Sequence, residues 1–156
     1  MPDGRIRLEY NNPRPDVTFL VTNLMRSVVN EGTGAGVRAA GFALDAAGKT
    51  GTTNDLRDAW FVGFTPELLA AVWVGFDDNQ SLGLSGSAAA LPIWVRFMMA
   101  ALAGRPNIPF AAPDGITWAD IDRDTGQLAL PTCPRVFHEA FLAGTEPTVS
   151  CEIHRF

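Results

Sequence analysis

The residues best suited to chemistry lie together in one short segment, Gly48-Lys49-Thr50-Gly51-Thr52-Thr53. Lys49 is the single lysine of the chain, because every other residue among the 12 Lys+Arg is an arginine. An ammonium group beside several hydroxyls can bind an anion, and flanking glycines let a ligand approach the backbone closely. The composition of this segment therefore indicates an anion-binding site.

Strand geometry limits how these groups can act together. Side chains alternate along a strand, so Lys49, Gly51 and Thr53 share one face, whereas Thr50 and Thr52 share the other. A ligand held by several of them must lie along the strand edge, where backbone N–H groups also donate. A threonine-rich edge strand whose lysine discourages aggregation is an open alternative. A phosphate-binding P-loop is rejected, because the glycine that this motif requires is replaced by alanine five positions before Gly48.

Hydrophobic periodicity predicts the elements that position this segment. Apolar residues at spacings of three to five predict a helix from Asp16 to about Gly32, followed by a short helix to about Ala40. Aromatic and β-branched runs then predict three consecutive antiparallel strands, and a second long helix follows. Closely spaced prolines and glycines predict loop from Arg105 to Gly115. The three strands and the second helix are predicted at 42–53, 59–64, 68–76 and 88–103, and a further possible strand at 116–121.

Composition excludes several classes of protein. A chain of 156 residues with 47 % hydrophobic and 19 % charged residues is long and apolar enough for one globular domain. The net charge of −5 offers no general attraction to nucleic acid or to an anionic membrane. The longest apolar stretches fall short of the roughly 20 residues that a membrane helix needs. The first residues lack a secretory pattern, so we expect any export signal to lie outside this chain.

Several motifs in a fixed order resemble the C-terminal half of the transpeptidase domain of a class A (bifunctional) penicillin-binding protein. The likeness extends over about residues 16–103 and, more loosely, over Gly144-Thr145-Glu146-Pro147-Thr148. Its motifs are Val28-Val29-Asn30-Glu31-Gly32-Thr33-Gly34, Lys49-Thr50-Gly51-Thr52-Thr53-Asn54-Asp55, Asp58-Ala59-Trp60-Phe61-Val62-Gly63-Phe64-Thr65-Pro66 and Val72-Trp73-Val74-Gly75.

The resemblance implies a fold and an arrangement of the chain. The fold class is α+β, as part of a three-layer αβα serine transpeptidase and β-lactamase-like fold with a mainly antiparallel sheet. Residues 1–15 are an extended lead-in, 16–104 the distal half of the transpeptidase domain, and 105–156 a loop-rich C-terminal tail.

It also implies an activity, in which a serine attacks the D-Ala-D-Ala carbonyl of a peptidoglycan stem peptide and a neighbouring strand's amine resolves the acyl-enzyme. β-Lactams bind in the place of that peptide, and no cofactor takes part. The implied location is extracytoplasmic or periplasmic, with attachment to the inner membrane through a region absent from this chain.

The resemblance assigns roles to the lysine segment. It implies that Lys49 is a catalytic residue, which maintains the electrostatic field and hydrogen bonds around the family's Ser-x-Asn motif. It also implies that Thr52 supplies a backbone N–H to the oxyanion. Substrate binding is implied for Thr50, Gly51, Thr52 and Thr53, with the hydroxyls of Thr50 and Thr52 on the terminal carboxylate.

This sequence departs from the family pattern in one respect. No serine is followed by lysine three residues later or by asparagine two residues later, so the Ser-x-x-Lys and Ser-x-Asn motifs are missing. We expect the chain to be the distal half of a larger domain, inactive alone and partnered by the N-terminal half. The alternative is a non-catalytic module that binds peptidoglycan or a partner. The serines concerned are Ser27, Ser81, Ser85, Ser87 and Ser150.

Some neighbouring residues have simpler explanations than a role in the site. Arg57 and Asp58 are interpreted as a charged turn between strands, and Glu31 as a helix cap. Four aromatic residues of the predicted hairpin are interpreted as sheet packing rather than as a sugar-stacking surface. They are Trp60, Phe61, Trp73 and Phe76.

Cys133 and Cys151 are the only cysteines, and an even number in an extracytoplasmic protein favours a disulfide between them. Unpaired thiols are one alternative. A Cys₂His₂ zinc site with His138 and His154 is another, although the spacing is not that of a standard zinc finger. We therefore predict the disulfide and no metal site.

Overall fold

A computed structural model describes residues 14–155, and the predicted lead-in of residues 1–15 lies almost entirely outside that range. The chain forms two compact units, which are described separately. The central unit comprises residues 21–111, and the terminal unit comprises the described residues up to 20 together with 112–155. In the described range, no helix has the length and apolar character needed to cross a membrane.

The helices and strands of the central unit confirm the predicted order. Helix α1 begins before this unit and ends at Glu31, where Gly32 and Gly34 donate to the carbonyl of Val28. A 3₁₀ turn separates the first two strands. The elements are α1 Pro15–Glu31, α2 Gly36–Ala39, β1 Ala47–Thr52, the 3₁₀ turn Asn54–Leu56, β2 Asp58–Phe64, β3 Leu69–Gly75 and α3 Gly86–Ala101.

The three strands form one antiparallel sheet in the order β1-β2-β3, as predicted. Helix α3 packs on one face of the sheet, with its fully buried Trp94 against Phe61 of β2 at a ring distance of 5.1 Å. The indole N–H of Trp94 donates to the carbonyls of Gly63 and Ala70, so this large side chain is buried with its polar atom satisfied. Val29 of α1 and Val37 of α2 belong to the same core.

The opposite face of the sheet corrects the prediction for the aromatic residues. Only Phe61 is buried, whereas Trp60, Trp73 and Phe76 are 41 %, 44 % and 51 % exposed. Side chains alternate along a strand, so Trp60 points to the opposite face of the sheet from Phe61. Trp60 pairs with Trp73 of β3, and the two share that face. Leu69, which shares the face of Trp73 on β3, is also exposed.

The terminal unit contains a second sheet in a region that the sequence suggested was mostly loop. Strand β4, Ile116–Asp122, matches the possible strand predicted there, and it pairs antiparallel with β5, Val136–Leu142. Strand β5 was missed, because its apolar residues do not alternate cleanly. Phe19 packs edge-on against Trp118 at 6.0 Å and covers part of this small sheet.

Candidate functional site

The lysine segment forms β1, which is an edge strand of the sheet within residues 14–155. The N–H of Thr53 donates to the carbonyl of Asp58, which fixes the pattern of the ladder between β1 and β2. Because hydrogen bonds alternate in an antiparallel pair, the backbone groups of Thr50 and Thr52 point away from β2. The sheet therefore presents these N–H and C=O groups along its open edge.

The side chain of Lys49 folds over this edge. It is exposed, and its Nζ donates to the carbonyl oxygen of Thr50 at 2.9 Å and lies 3.4 Å from Thr50 Oγ1. The hydroxyl of Thr50 also bonds with that of Thr33, which follows α1, at 2.9 Å. An ammonium and two hydroxyls thus meet beside the backbone groups that point away from β2.

The hydroxyl of Thr52 is positioned by the start of α3. The N–H of Gly86 donates to Thr52 Oγ1 at 3.0 Å, which leaves the hydroxyl proton of Thr52 free to donate to a ligand. A Cβ on Gly86 would stand 2.3 Å from the carbonyl oxygen of Trp60 and 2.5 Å from that of Gly51. Glycine is required here, because α3 begins in direct contact with the backbone of both strands.

Thr53 has a different role in the structure from its neighbours. Its Oγ1 donates to Asp58 Oδ2 at 3.1 Å and accepts from Asp58 N at 2.8 Å, so the hydroxyl closes the turn between β1 and β2. The other carboxylate oxygen of Asp58 accepts from the indole N–H of Trp73 at 2.9 Å. Asp58, interpreted from the sequence as a turn charge, is therefore the group that holds this corner together.

A groove of about 620 Å³ opens next to this corner. Its floor includes a strained turn, because Asp55 and Leu56 are consecutive non-glycine residues with φ of 61° and 54°. Hydrogen bonds from Ser81 Oγ to the Asp55 carbonyl and from Leu82 N to the Leu56 carbonyl hold that turn. The groove is lined by Thr52, Thr53, Asn54, Asp55, Arg57, Asp58 and Asn79.

These contacts bring together most of the predicted site residues. Lys49, Thr50 and Thr52 meet along the edge of β1. A Cβ on Gly51 would stand 3.1 Å from Trp60 Cβ and would reduce the space for a ligand beside this strand. Lys49 does not line the groove, which begins further along the strand at Thr52. The edge offers N–H, hydroxyl and ammonium donors, which is a suitable set for a carboxylate or an oxyanion.

The terminal unit contains a second cluster of reactive side chains. Donor atoms of Asp122, Cys133, Cys151 and His154 all lie within 4.8 Å of one another. Both cysteines are free thiols, so the predicted disulfide is not formed in this structure. A carboxylate and an imidazole lie beside the thiols instead. His154 Nδ1 is 2.8 Å from Asp122 Oδ2 and 3.4 Å from Cys151 Sγ.

The pattern of pKa shifts in this cluster follows from burial opposed by hydrogen bonds. Burial raises the pKa of Cys133 to about 11. For Cys151, burial acts in the same direction, but N–H groups of His154 and Ile153 outweigh it and lower the pKa. Burial raises the pKa of Asp122, but hydrogen bonds from Cys133, Thr125 and His154 outweigh that effect and lower it. Burial lowers the pKa of His154, but Asp122 and Cys151 outweigh that effect and raise it. Hydrogen bonds within the cluster thus outweigh burial at Asp122, Cys151 and His154, but not at Cys133.

Sequence reasoning found three members of this cluster and missed the fourth. His138, the other histidine considered as a ligand, bonds with Asp120 at 2.7 Å and stacks on Trp118. The missed signal was Asp122-Arg123-Asp124-Thr125-Gly126, in which the first aspartate accepts from Asp124 N and Thr125 N as it would in a turn.

Two family models match the chain and together cover most of it. Residues 10–98 match the penicillin binding protein transpeptidase domain. Residues 112–156 match the C-terminal domain of penicillin-binding protein 1A. The boundary between the two matches falls near the boundary between the central and terminal units.

Two similar proteins are both penicillin-binding protein 1A. The chain is 43 % identical over 141 residues to penicillin-binding protein 1A of Aquifex aeolicus, covering 89 % of this chain and 19 % of that protein. It is 41 % identical over 135 residues to penicillin-binding protein 1A of Pseudomonas aeruginosa, covering 85 % and 16 % respectively. The chain thus spans less than one fifth of the length of these relatives.

A solved structure confirms the predicted fold class. The crystal structure of penicillin-binding protein 1A from Haemophilus influenzae superposes with a TM-score of 0.76 at 34 % sequence identity. The match covers 88 % of this chain and 22 % of that one.

Proposed function

Because the chain belongs to the penicillin-binding protein transpeptidase family, we propose that it is the substrate-binding half of a serine D,D-transpeptidase of cell-wall cross-linking. The observation that carries this proposal is the open edge of β1. There Lys49, Thr50 and Thr52 present an ammonium, hydroxyls and backbone N–H groups side by side.

The edge fits a peptide that ends in a carboxylate. A stem peptide ending in D-Ala-D-Ala lies along β1 as an added strand, and Gly51 leaves room for it beside Trp60. Its terminal carboxylate accepts from the hydroxyls of Thr50 and Thr52. The Gly86 amide orients the second hydroxyl, because it donates to that oxygen and leaves the proton to the ligand.

Acyl transfer then needs an oxyanion donor at the scissile carbonyl. The N–H of Thr52 points to the open edge and takes this role, since it is fixed before the negative charge develops on the oxygen. In comparable sites such a donor contributes about 3–4 kcal/mol to catalysis. The Lys49 ammonium adds a positive charge next to it and polarises the hydroxyl of Thr50.

In this proposal the nucleophile comes from a part of the domain outside these 156 residues. No serine here has the Ser-x-x-Lys or Ser-x-Asn pattern, and the chain spans a small share of its relatives. The exposure of Trp60, Leu69, Trp73 and Phe76 supports the same idea. The neighbouring rings of Trp60 and Trp73 leave apolar area in solvent, and partners often cover such area. The missing N-terminal half of the domain is the proposed cover.

The proposal includes the location and partners of the site. Peptidoglycan stem peptides and β-lactams are the proposed ligands, because both present a carboxylate beside a reactive carbonyl. Peptidoglycan lies outside the cytoplasm, so the proposed location is extracytoplasmic or periplasmic, with attachment to the inner membrane through a region beyond this sequence.

A chimera tests the proposal directly. This chain replaces the matching segment of penicillin-binding protein 1A from Pseudomonas aeruginosa, and acylation by a fluorescent β-lactam is followed by gel. We expect Lys49→Ala and Thr52→Val to slow acylation by at least about 100-fold. The matched control is Glu67→Gln, a change at a surface ion pair of 3.9 Å, which leaves the rate unchanged.

Two results would count against the proposal. If Lys49→Ala and Thr52→Val are acylated at the rate of the parent chimera, β1 is not part of the site. A covalent adduct on a serine of the isolated chain shows that the nucleophile lies within it. If the isolated chain binds peptidoglycan while the chimera is not acylated, the non-catalytic module becomes the better explanation.

A further inference from the structure

Four side chains that offer metal ligands converge at the centre of the terminal unit. Asp122 ends β4, Cys133 lies in the loop before β5, and Cys151 and His154 lie in the last segment of the chain. Asp122 and Cys151 are fully buried, and the His154 side chain is only 22 % exposed. We propose that these four residues form a tetrahedral binding site for a zinc ion.

The spacing of the donor atoms fits such an ion. A tetrahedral zinc ion with usual bond lengths holds two sulfurs about 3.8 Å apart and a sulfur and a nitrogen about 3.6 Å apart. The four donors here all lie within 4.8 Å of one another, and Cys151 Sγ is 3.4 Å from His154 Nδ1. Shifts of less than about 1 Å in side-chain position complete the coordination.

The backbone is arranged to support both thiolates. The N–H of Leu130 donates to Cys133 Sγ at 3.2 Å, and the N–H groups of Ile153 and His154 lie close enough to Cys151 Sγ to lower its pKa. Such N–H donors stabilise a negatively charged sulfur. They form because Cys133 follows Leu130 by three residues and His154 follows Cys151 by three, so each turn curls around its own sulfur.

The other two ligands are also held from outside the cluster. Asp122 Oδ1 accepts from Asp124 N, Thr125 N and Thr125 Oγ1, which leaves Oδ2 facing the other donors. His154 Nε2 lies 3.9 Å from the carboxylate of Asp124. Nδ1 faces the other three donors, and zinc bound there would leave the imidazole proton on Nε2, beside the Asp124 carboxylate.

The donor set selects the class of ion. Two thiolates with one imidazole suit borderline-soft Zn²⁺, whereas Mg²⁺ and Ca²⁺ require oxygen ligands. Binding forms bonds from zinc to the two thiolates, the carboxylate and the neutral imidazole, and it releases to solvent the two thiol protons and any second proton on the imidazole. No oxidant or reductant is needed. A disulfide between the same sulfurs would need an oxidant and is the direct competitor.

The size of the terminal unit explains why a metal would be useful there. Two strands and one short piece of helix bury few large apolar side chains, and a two-stranded sheet alone is marginal in water. One ion ties the end of β4, the loop before β5 and the last segment of the chain to a single point. Small folds commonly gain stability through such a ligand set.

The test begins with the unmutated chain, purified under reducing conditions without chelator. We expect about one zinc per chain by mass spectrometry of the metal. Loading with Co²⁺ should give the intense absorption of a thiolate-ligated tetrahedral ion. Zinc should also slow alkylation of Cys133 and Cys151 together by at least about tenfold.

Matched variants separate the four ligands from their neighbours. His154→Ala and Asp122→Asn should weaken zinc binding by at least about 100-fold in competition with a chelating dye. His138→Ala and Asp120→Asn are the controls, because they remove the same chemical groups from the adjacent exposed pair. These two controls should bind zinc like the unmutated chain.

The proposal fails on any of three results. Zinc content near zero with both thiols reactive excludes the site. An intact mass lower by two hydrogens in a sample purified without reductant also excludes it, because that mass indicates the disulfide. Equal zinc affinity in His154→Ala and His138→Ala shows that the cluster is not the ligand set. The alkylation assay needs no variant, so a poorly folded mutant does not remove the test.

Discussion

The central and terminal units place their reactive groups in opposite ways. In the central unit the core around Trp94 and Phe61, between α3 and the sheet, is apolar, and the polar groups of β1 lie at the rim. In the terminal unit the centre itself contains the reactive groups, because Asp122 and Cys151 have no solvent exposure. Buried apolar side chains thus form the centre of the central unit, whereas polar side chains that could bind a ligand converge at the centre of the terminal unit.

This difference teaches how each site depends on its surroundings. An apolar core can be complete without the ligand, so the edge of β1 is free to bind and release a substrate. A polar centre needs its charges balanced before it is stable, since unpaired buried groups are costly. The central unit should therefore tolerate changes at its site and resist changes in its packing, while the terminal unit should respond most strongly to its ligand.

The largest effect should come from the contact between α3 and the strands. Gly86→Ala places a Cβ 2.3 Å from the Trp60 carbonyl oxygen, and backbone cannot move aside cheaply, so we expect a loss of about 3 kcal/mol or more in unfolding free energy. Urea denaturation measures it. Gly83→Ala is the control, because its Cβ meets nothing within 4 Å and only its φ of +69° carries a penalty of about 1 kcal/mol. Equal losses would show that α3 is not held this closely.

A smaller effect is expected at a buried carboxylate of the same unit. Asp45 accepts from Arg26 Nε at 2.8 Å and from Phe110 N at 3.0 Å, so Asp45→Ala leaves both donors without a partner. We expect a loss of about 2–3 kcal/mol by urea denaturation. Glu67→Gln, at an exposed ion pair, should change the same quantity by less than about 0.5 kcal/mol. A loss at Asp45 no larger than this would mean that the central unit depends on its apolar core alone.

The comparison is sharpened most by a chelator, which should act on one unit only. Removing zinc should speed tryptic cleavage after Arg123 and Arg135 by at least about fivefold, because local opening of the terminal unit becomes easier. Cleavage after Arg38 and Arg96, in helices of the central unit, should not change. Mass spectrometry of the fragments over time gives all four rates. Acceleration in both units would show that they unfold together.

Local patterns were sufficient to predict most of the central unit. The helix at Pro15–Glu31, the three antiparallel strands and the helix at Gly86–Ala101 all follow from periodicity and turn residues. The predicted strand at 42–53 was too long, because the chain from Gly41 to Ala46 leads into β1 without pairing. The exposure of Trp60 and Trp73 was missed, since alternation identifies two faces but not which face a helix will cover.

The type of chemistry was readable in the sequence, since one lysine among hydroxyls and glycines on a strand, and two cysteines interleaved with histidines, each identify possible ligands. The partners of those groups were decided by the tertiary structure alone. Gly86 reaches Thr52 across 34 residues, and Asp122 meets His154 across 32. Spacing along the chain reports which side chains are neighbours within a helix or strand, but contacts between distant segments depend on how those elements pack, and that packing is a property of the whole core.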